Sequence, residues 1–237
     1  MILVKPSVDI LRITEAPLKM IEFSARTCYK SEDKITEDSS KAFVQKLLVR
    51  GHEAMLEFAG ATVKFVCDRG VSHELVRHRL FSFAQESTRY CNYKGGVTFV
   101  IPPWISTSFQ LFDEVVDYDA YLDWWRSWHT HQDTIRYPEG FPDDVDRWIQ
   151  HMISSEREYK GLLEHKWTPQ QARSVLPNSL KTEIVVRGNF REWRHFFKLR
   201  TDMSAHPQMR EVACPLLEKM QAKVPVIFDE FTGCCKD

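Results

Sequence analysis

No apolar run in this sequence approaches the roughly 20 residues that a membrane-spanning helix requires, and neither sign of charge prevails. With 32 Lys and Arg against 33 Asp and Glu, the net charge is −1. That balance excludes a chain-wide field for DNA or an anionic membrane, so any anion must be bound by local clustering. Nine histidines are present, but neither H-E-x-x-H nor C-x-x-C occurs, and no metal site is expected. The G-x-G-x-x-G dinucleotide fingerprint is also missing. Six cysteines (Cys28, Cys67, Cys91, Cys214, Cys234 and Cys235) occur without a signal peptide or a regular framework, which predicts reduced thiols and a cytoplasmic protein. There is no repeat, low-complexity tract or linker, and 237 residues suffice for one substantial domain, 1–237.

What is present is one dense polar stretch, Arg77-His78-Arg79-Leu80-Phe81-Ser82-Phe83-Ala84-Gln85-Glu86-Ser87-Thr88-Arg89-Tyr90. Arginine forks match phosphate and carboxylate in a bidentate way. Gln85, Ser87 and Thr88 add donors and acceptors suited to a base edge or a sugar. A solvated helix face is the ordinary account of a charge run. Here Leu80, Phe81, Phe83 and Tyr90 interrupt any clean polar face at helical spacing. The stretch therefore predicts a pocket for a polyanionic small molecule such as a nucleotide.

Around it, periodicity gives the elements. Met1–Val4 reads as a first strand, and residues 14–29 and 36–50 as amphipathic helices, the second stopped by Gly51. Thr62–Cys67 alternates as a strand, and Asp68-Arg69-Gly70 turns the chain. A short helix from Val71 to about Arg79 then delivers the basic cluster at its C-terminus, where cations gain roughly 0.3–1 kcal/mol each. Val97–Ile101 is a strand ended by Pro102-Pro103. Helices are predicted at 117–135 and 144–165; the aromatic stripe of the first (Tyr118, Tyr121, Trp125, Trp128) is ordinarily core or subunit interface. Pro138–Pro142 is a loop. Thr168-Pro169-Gln170-Gln171 opens a helix, Leu180–Val186 alternates as a strand, and Asn189 with Glu192 caps a helix to Arg200. A last helix over 207–223 contains Pro215.

The whole set of motifs resembles the flavin-dependent thymidylate synthases. Arg77-His78-Arg79, seven residues, then Ser87 is that family's signature. Gly51-His52-Glu53, Glu57, Ser87-Thr88-Arg89-Tyr90, Gln171 to Pro177, Thr182-Glu183-Ile184, Asn189-Phe190-Arg191-Glu192 and Leu199-Arg200 extend the likeness to all but roughly residues 104–155, a helical insert. The resemblance implies an α+β fold, a mainly antiparallel sheet flanked by helices, in a homotetramer with active sites at subunit junctions. It implies conversion of dUMP to dTMP, with 5,10-methylenetetrahydrofolate as carbon donor and FAD reduced by NADPH.

Residue by residue, the resemblance implies FAD binding by Arg77, His78, Arg79, Gln85, Ala54, Asn189, Phe190, Arg191 and His195. It implies dUMP binding by Glu74, Arg77, Gln85, Glu86, Ser87, Thr88, Arg89, Arg173 and Arg200, with Arg89 and Arg173 on the phosphate. His52 and Glu57 would lie beside the flavin, and Arg200 would polarise the uracil ring, with Ser87 the other catalytic candidate. Glu74 stands where the family often has glutamine, Ser204 and His206 where it commonly has histidine and glutamine, and Ala54 offers no side-chain hydrogen bond. Cys214 precedes Pro215 on a core-like helix, unlike the Pro-Cys-His setting of folate-only thymidylate synthases, so no protein nucleophile is expected. The rival reading is a single-stranded nucleic-acid binder that uses Arg77–Arg79 and stacking tryptophans.

Overall fold

A computed structural model describes residues 1–106 and 143–231. The expected helix at 117–135, His129 and His131, the 138–142 loop, most of the 104–155 insert and the Cys234-Cys235 tail lie outside the described residues. The chain passes repeatedly between two compact units, one made of Met1–Pro6, Cys67–Gly70 and Glu86–Thr182, the other of Ser7–Val66, Val71–Gln85 and Glu183 onward. Among the described residues no helix is long and apolar enough to cross a membrane.

The second unit is built on a four-stranded sheet in the order β2 (Ser7–Ile13), β3 (Gly60–Asp68), β6 (Lys181–Asn189), β4 (Ser82–Gln85). The β2–β3 and β4–β6 pairs are antiparallel, as the α+β reading expects. The alternation read from sequence holds: Ala61, Val63, Phe65 and Cys67 of β3 are fully buried, with Ile184 and Val186 of β6. Against them lies α7 (Phe190–Arg200), whose Trp193 Nε1 donates to the Ala61 carbonyl at 3.3 Å and whose Phe196 meets Phe65 edge-on at 6.4 Å. β3 and β6 approach so closely that a Cβ on Gly60 would stand 2.2 Å from the Gly188 carbonyl oxygen. One on Gly188 would enter the Phe81 ring at 2.1 Å. Both positions therefore require glycine. α1 (Pro17–Thr27), α2 (Ser39–Val49) and α8 (Pro207–Lys223) complete the unit. Gly51, at φ 71, ends α2 as expected: the Gly51 and His52 amides donate back to Leu48 and Leu47, which launches the segment carrying Glu53 and Glu57.

One local expectation is corrected, and two strands appear where none was read. The helix after β3 is α3 (Arg69–Leu75), so it begins within the expected turn and stops before the basic cluster. Arg77, His78 and Arg79 occupy the turn that follows, which lets His78 point inward while its two neighbours stay exposed. A helix would have spread the three about 100° apart. Ser82–Gln85 is a short strand, four residues long and paired with a strand about 100 residues away, so it leaves no local signal. Ser7–Ile13 is also a strand, where a bulge between Ile10 and Arg12 breaks the two-residue period.

The first unit pairs β1 (Ile2–Val4) in parallel with β5 (Thr98–Val100). Its core joins Leu3, Phe99 and Ile105, from the short α4 (Pro103–Ser106), to Val145, Ile149, Met152 and Tyr159 of α5 (Asp143–Glu164). Glu156 is buried there and accepts from the Val97 amide at 2.9 Å, with the Met1 amino group at 2.9 Å and Lys160 at 3.1 Å. Burial pushes its carboxyl up, but those three donors outweigh it and hold the pKa below the usual value. α6 (Pro169–Ala172) starts with the expected Thr168–Gln171 capping box. Cys28, Cys67 and Cys91 are free thiols, whereas Cys214 is disulfide-bonded, contrary to the reduced state expected of all six.

Candidate functional site

The second unit encloses a cavity of about 1150 Å³. Four stretches wall it: the 3-10 turn Glu53–Phe58, the turn bearing Arg77 to Leu80, Asn189 with one face of α7, and Glu230-Phe231. The α7 face is a product of helical spacing, since Arg191, His195, Lys198 and Leu199 recur at three- and four-residue steps while Trp193, Phe196 and Phe197 turn to the core. Asn189 fixes the start of the helix: its Oδ1 accepts from the Glu192 amide at 2.9 Å.

Six Arg and Lys side chains and four Glu line the cavity, and their pairing sorts them. Arg194 is buried; its Nη2 reaches Glu53 at 3.0 Å and Glu230 at 2.7 Å, so it ties the walls together. Arg191 meets Glu57 at 2.6 Å in an exposed pair. Arg200 donates from Nη1 to Glu74 at 2.7 Å and from Nε to His78 Nε2 at 3.0 Å. Arg77, Arg79 and Lys198 are exposed and have no acidic partner among the described residues. They are the charges left for an anionic ligand.

His78 is buried among Phe196 at 5.2 Å, Phe81 at 5.8 Å and His195 at 5.9 Å between ring centroids. Burial, then the cation of Arg200 and His195, lower its pKa to about 4. It is therefore neutral near pH 7, as an imidazole accepting from a guanidinium must be. Its Nδ1 lies 3.5 Å from Glu192 Oε1. Burial raises the Glu192 carboxyl, against the opposing charge of His195. His78, Glu192 and His195 bring ligand atoms within 4.8 Å of one another. A cation there would compete with the Arg200 donor for His78 and stand beside its charge, so the arrangement suits a hydrogen-bond network better.

The first unit holds a second group. Thr88 is buried and accepts from Arg173 Nη1 at 2.8 Å. Glu86 accepts from the Tyr93 hydroxyl at 2.8 Å and faces Lys181 Nζ at 3.3 Å. Burial and the Glu86 bond push the Tyr93 phenol pKa up, which keeps it protonated and donating. Ser87 Oγ accepts from the Arg89 amide at 3.3 Å, and the Arg89 guanidinium lies 5.4 Å from the Tyr90 ring centroid.

The expected residues thus fall into two sets. The cavity gathers Arg77, His78, Arg79, Asn189, Arg191, His195, Arg200 and Glu57. Glu86, Ser87, Thr88, Arg89 and Arg173 share the first unit. Gln85 ends β4 in the second unit and donates to Ser72 Oγ at 2.9 Å. His52 and Ala54 are exposed on the segment entering the cavity wall, and the Phe190 ring is buried against Phe228 at 5.5 Å. Sequence reasoning missed Arg194, Lys198, Glu230 and Phe231 in the wall, and Tyr93 and Lys181 as holders of Glu86. A buried arginine paired with two glutamates 141 and 36 residues away leaves no local signal.

A sequence profile described as "Thymidylate synthase complementing protein" matches residues 9–226. The flavin-dependent thymidylate synthase of Corynebacterium aurimucosum is 36% identical over 216 residues, 90% of this chain and 79% of that protein. That of Corynebacterium glutamicum is 35% identical over 216 residues, 90% and 78% of the two chains. Among solved structures, the UMP/dUMP methylase PolB from Streptomyces cacaoi bound with 5-Br dUMP superposes with a TM-score of 0.71 at 23% identity, over 98% of this chain and 97% of that one. ThyX from Helicobacter pylori with FAD and dUMP gives 0.70 at 20% identity, over 98% and 100%.

Proposed function

We infer the activity from one premise: the chain belongs to the thymidylate synthase complementing protein family. We propose that it is a flavin-dependent thymidylate synthase that converts dUMP to dTMP, drawing its one-carbon unit from 5,10-methylenetetrahydrofolate and its reducing equivalents from NADPH through FAD. A homotetramer with shared active sites accompanies this reading. The observation that carries it is the cavity, where the Arg77–Arg79 turn and the Asn189–Arg200 helix meet around unpaired cations.

The residues present fit a flavin dinucleotide. At about 1150 Å³ the cavity exceeds the roughly 300–1,000 Å³ of most small-molecule sites. Arg77, Arg79 and Lys198 offer charge for a pyrophosphate without breaking an existing pair. Arg191 and His195 line the same wall, and His52 and Ala54 are exposed on the segment that carries Glu53 into it. When bound, FAD supplies the hydride chemistry that no side chain here provides.

The chain's own residues bind and orient. Arg173 and Arg89 hold the dUMP phosphate, with Thr88 as the anchor of Arg173. Glu86 is kept in place by Tyr93 and Lys181 so that its carboxylate presents a fixed edge to the nucleotide. Ser87 donates a hydrogen bond; no histidine or carboxylate accepts from its hydroxyl among the described residues, so it is a ligand rather than a nucleophile. Arg200 faces the pyrimidine and stabilises negative charge developing on it. Glu74, 2.7 Å away, holds one end of that guanidinium.

The test is a visible absorbance spectrum of the purified protein, followed by NADPH oxidation with and without dUMP. A flavin spectrum and dUMP-stimulated oxidation are expected. A colourless protein that binds no added FAD and is retained by heparin favours the nucleic-acid reading instead.

A further inference from the structure

We propose that Glu192 is a positioning residue: acting through the imidazole of His78, it fixes the direction in which Arg200 presents its guanidinium. Arg200 ends α7 on a long, half-buried side chain, and carboxylate pairing at Nη1 alone leaves its fork free to swing about that contact. The second constraint is Nε, which donates to His78 Nε2 at 3.0 Å. That bond requires a lone pair on Nε2, so the proton of the neutral ring belongs on Nδ1. The group facing Nδ1 is Glu192 Oε1 at 3.5 Å.

A glutamate at the third position of a helix ordinarily serves the helix start from an exposed site. Here the Glu192 backbone amide is capped by Asn189, while the residue is 5% exposed and its carboxylate faces His78. Burying a carboxylate is costly unless a partner faces it; His78 Nδ1 lies 3.5 Å from Oε1, and His195 stands in the same cluster. His195, Phe196 and Phe81 surround the same ring, and Arg200 donates to its Nε2, so a turn of the imidazole that kept the Arg200 bond would still leave Nδ1 toward Glu192. One end of α7 thereby sets the other, about 12 Å along the helix axis, through a residue in a separate turn. The low pKa of His78 agrees with a ring that stays neutral in this role.

The kinetic consequence rests on Arg200 acting on the pyrimidine as proposed above; the tautomer does not. The experiment is ¹⁵N NMR of histidine-labelled protein near neutral pH, with His78 assigned by His78→Gln, on the wild type, Glu192→Gln and Glu192→Ala. Steady-state kinetics and flavin content are measured on the same preparations. The wild type is expected to show His78 neutral with its proton on Nδ1, and Glu192→Gln to preserve this because the amide oxygen still accepts. Glu192→Ala is expected to mix the tautomers and to lower kcat about ten- to hundredfold, as a misaligned catalytic group does, with the dUMP KM and flavin content little changed. A wild-type proton on Nε2 overturns the proposal, and does so even if Glu192→Ala fails to fold. An altered tautomer with unchanged kcat overturns the link to Arg200. A wild type that makes no dTMP sinks the functional reading instead, while the tautomer still decides the His78–Glu192 contact.

Discussion

Three arginines of the cavity, Arg191, Arg194 and Arg200, and two of the Glu86–Arg89 region, Arg89 and Arg173, are held in opposite ways. In the cavity wall Arg191, Arg194 and Arg200 each meet at least one carboxylate, at 2.6 to 3.0 Å. In the first unit Arg173 rests on a threonine hydroxyl and Arg89 lies by a tyrosine ring, and neither has a carboxylate partner among the described residues. A paired guanidinium has a fixed direction and a partly compensated charge. One held only by neutral groups keeps its charge for an arriving anion. The first kind suits directional work on a reacting ring, and the second suits phosphate capture.

The sharpest way to break that comparison is to remove one member of each kind. Arg200→Ala is expected to lower kcat by about 10²–10³, the cost of losing one preorganised donor to developing charge, with flavin content retained. An effect confined to a raised dUMP KM would show that Arg200 merely binds. Arg173→Ala is expected to do the reverse, raising the dUMP KM about ten- to hundredfold for the loss of a charged hydrogen bond worth about 1.5–3 kcal/mol, with kcat nearly unchanged.

Ser87→Ala sharpens the same contrast at smaller size. Loss of one neutral hydrogen bond costs about 0.5–1.5 kcal/mol, a two- to roughly twelvefold effect expressed largely in KM. Complete inactivity with FAD and dUMP still bound, or a Ser87–nucleotide adduct by mass spectrometry, would restore the nucleophile.

The smallest expected effect is on stability. His78 titrates at about 4 in the folded protein, against an ordinary value of 6.5. Between those values the unfolded chain binds more protons, so its contribution is complete above about 6.5 and is lost as pH falls toward 4. Glu192, with its carboxyl raised, works against this near its own ordinary value of 4.5. Urea midpoints should therefore decline from pH 7 to 5 in the wild type and more gently in His78→Asn. Equal slopes would mean that His78 is not desolvated.

Much of this arrangement was legible where the signal was local. The alternation of Val63, Phe65 and Cys67, the capping at Thr168 and Asn189, and the stop at Gly51 are each set by a few consecutive residues, and all appear as expected. The bulged β2 and the four-residue β4 were not legible, because their pairing is decided by strands distant in sequence. In the site, the basic cluster was conspicuous by composition, but the end of α3 at Leu75 was not, since Val76 continues the apolar pattern. The pairing of Arg194 with Glu53 and Glu230 was not legible, because it joins residues 141 and 36 positions apart. Glu192 was seen only as the partner of a cap, although its carboxylate faces His78.

Tritium release from [5-³H]dUMP reads the proposed reaction itself. Release that requires bound FAD, 5,10-methylenetetrahydrofolate and a reductant together, with dTMP as product, is the predicted result. Undiminished dTMP formation after complete removal of the flavin would contradict the account.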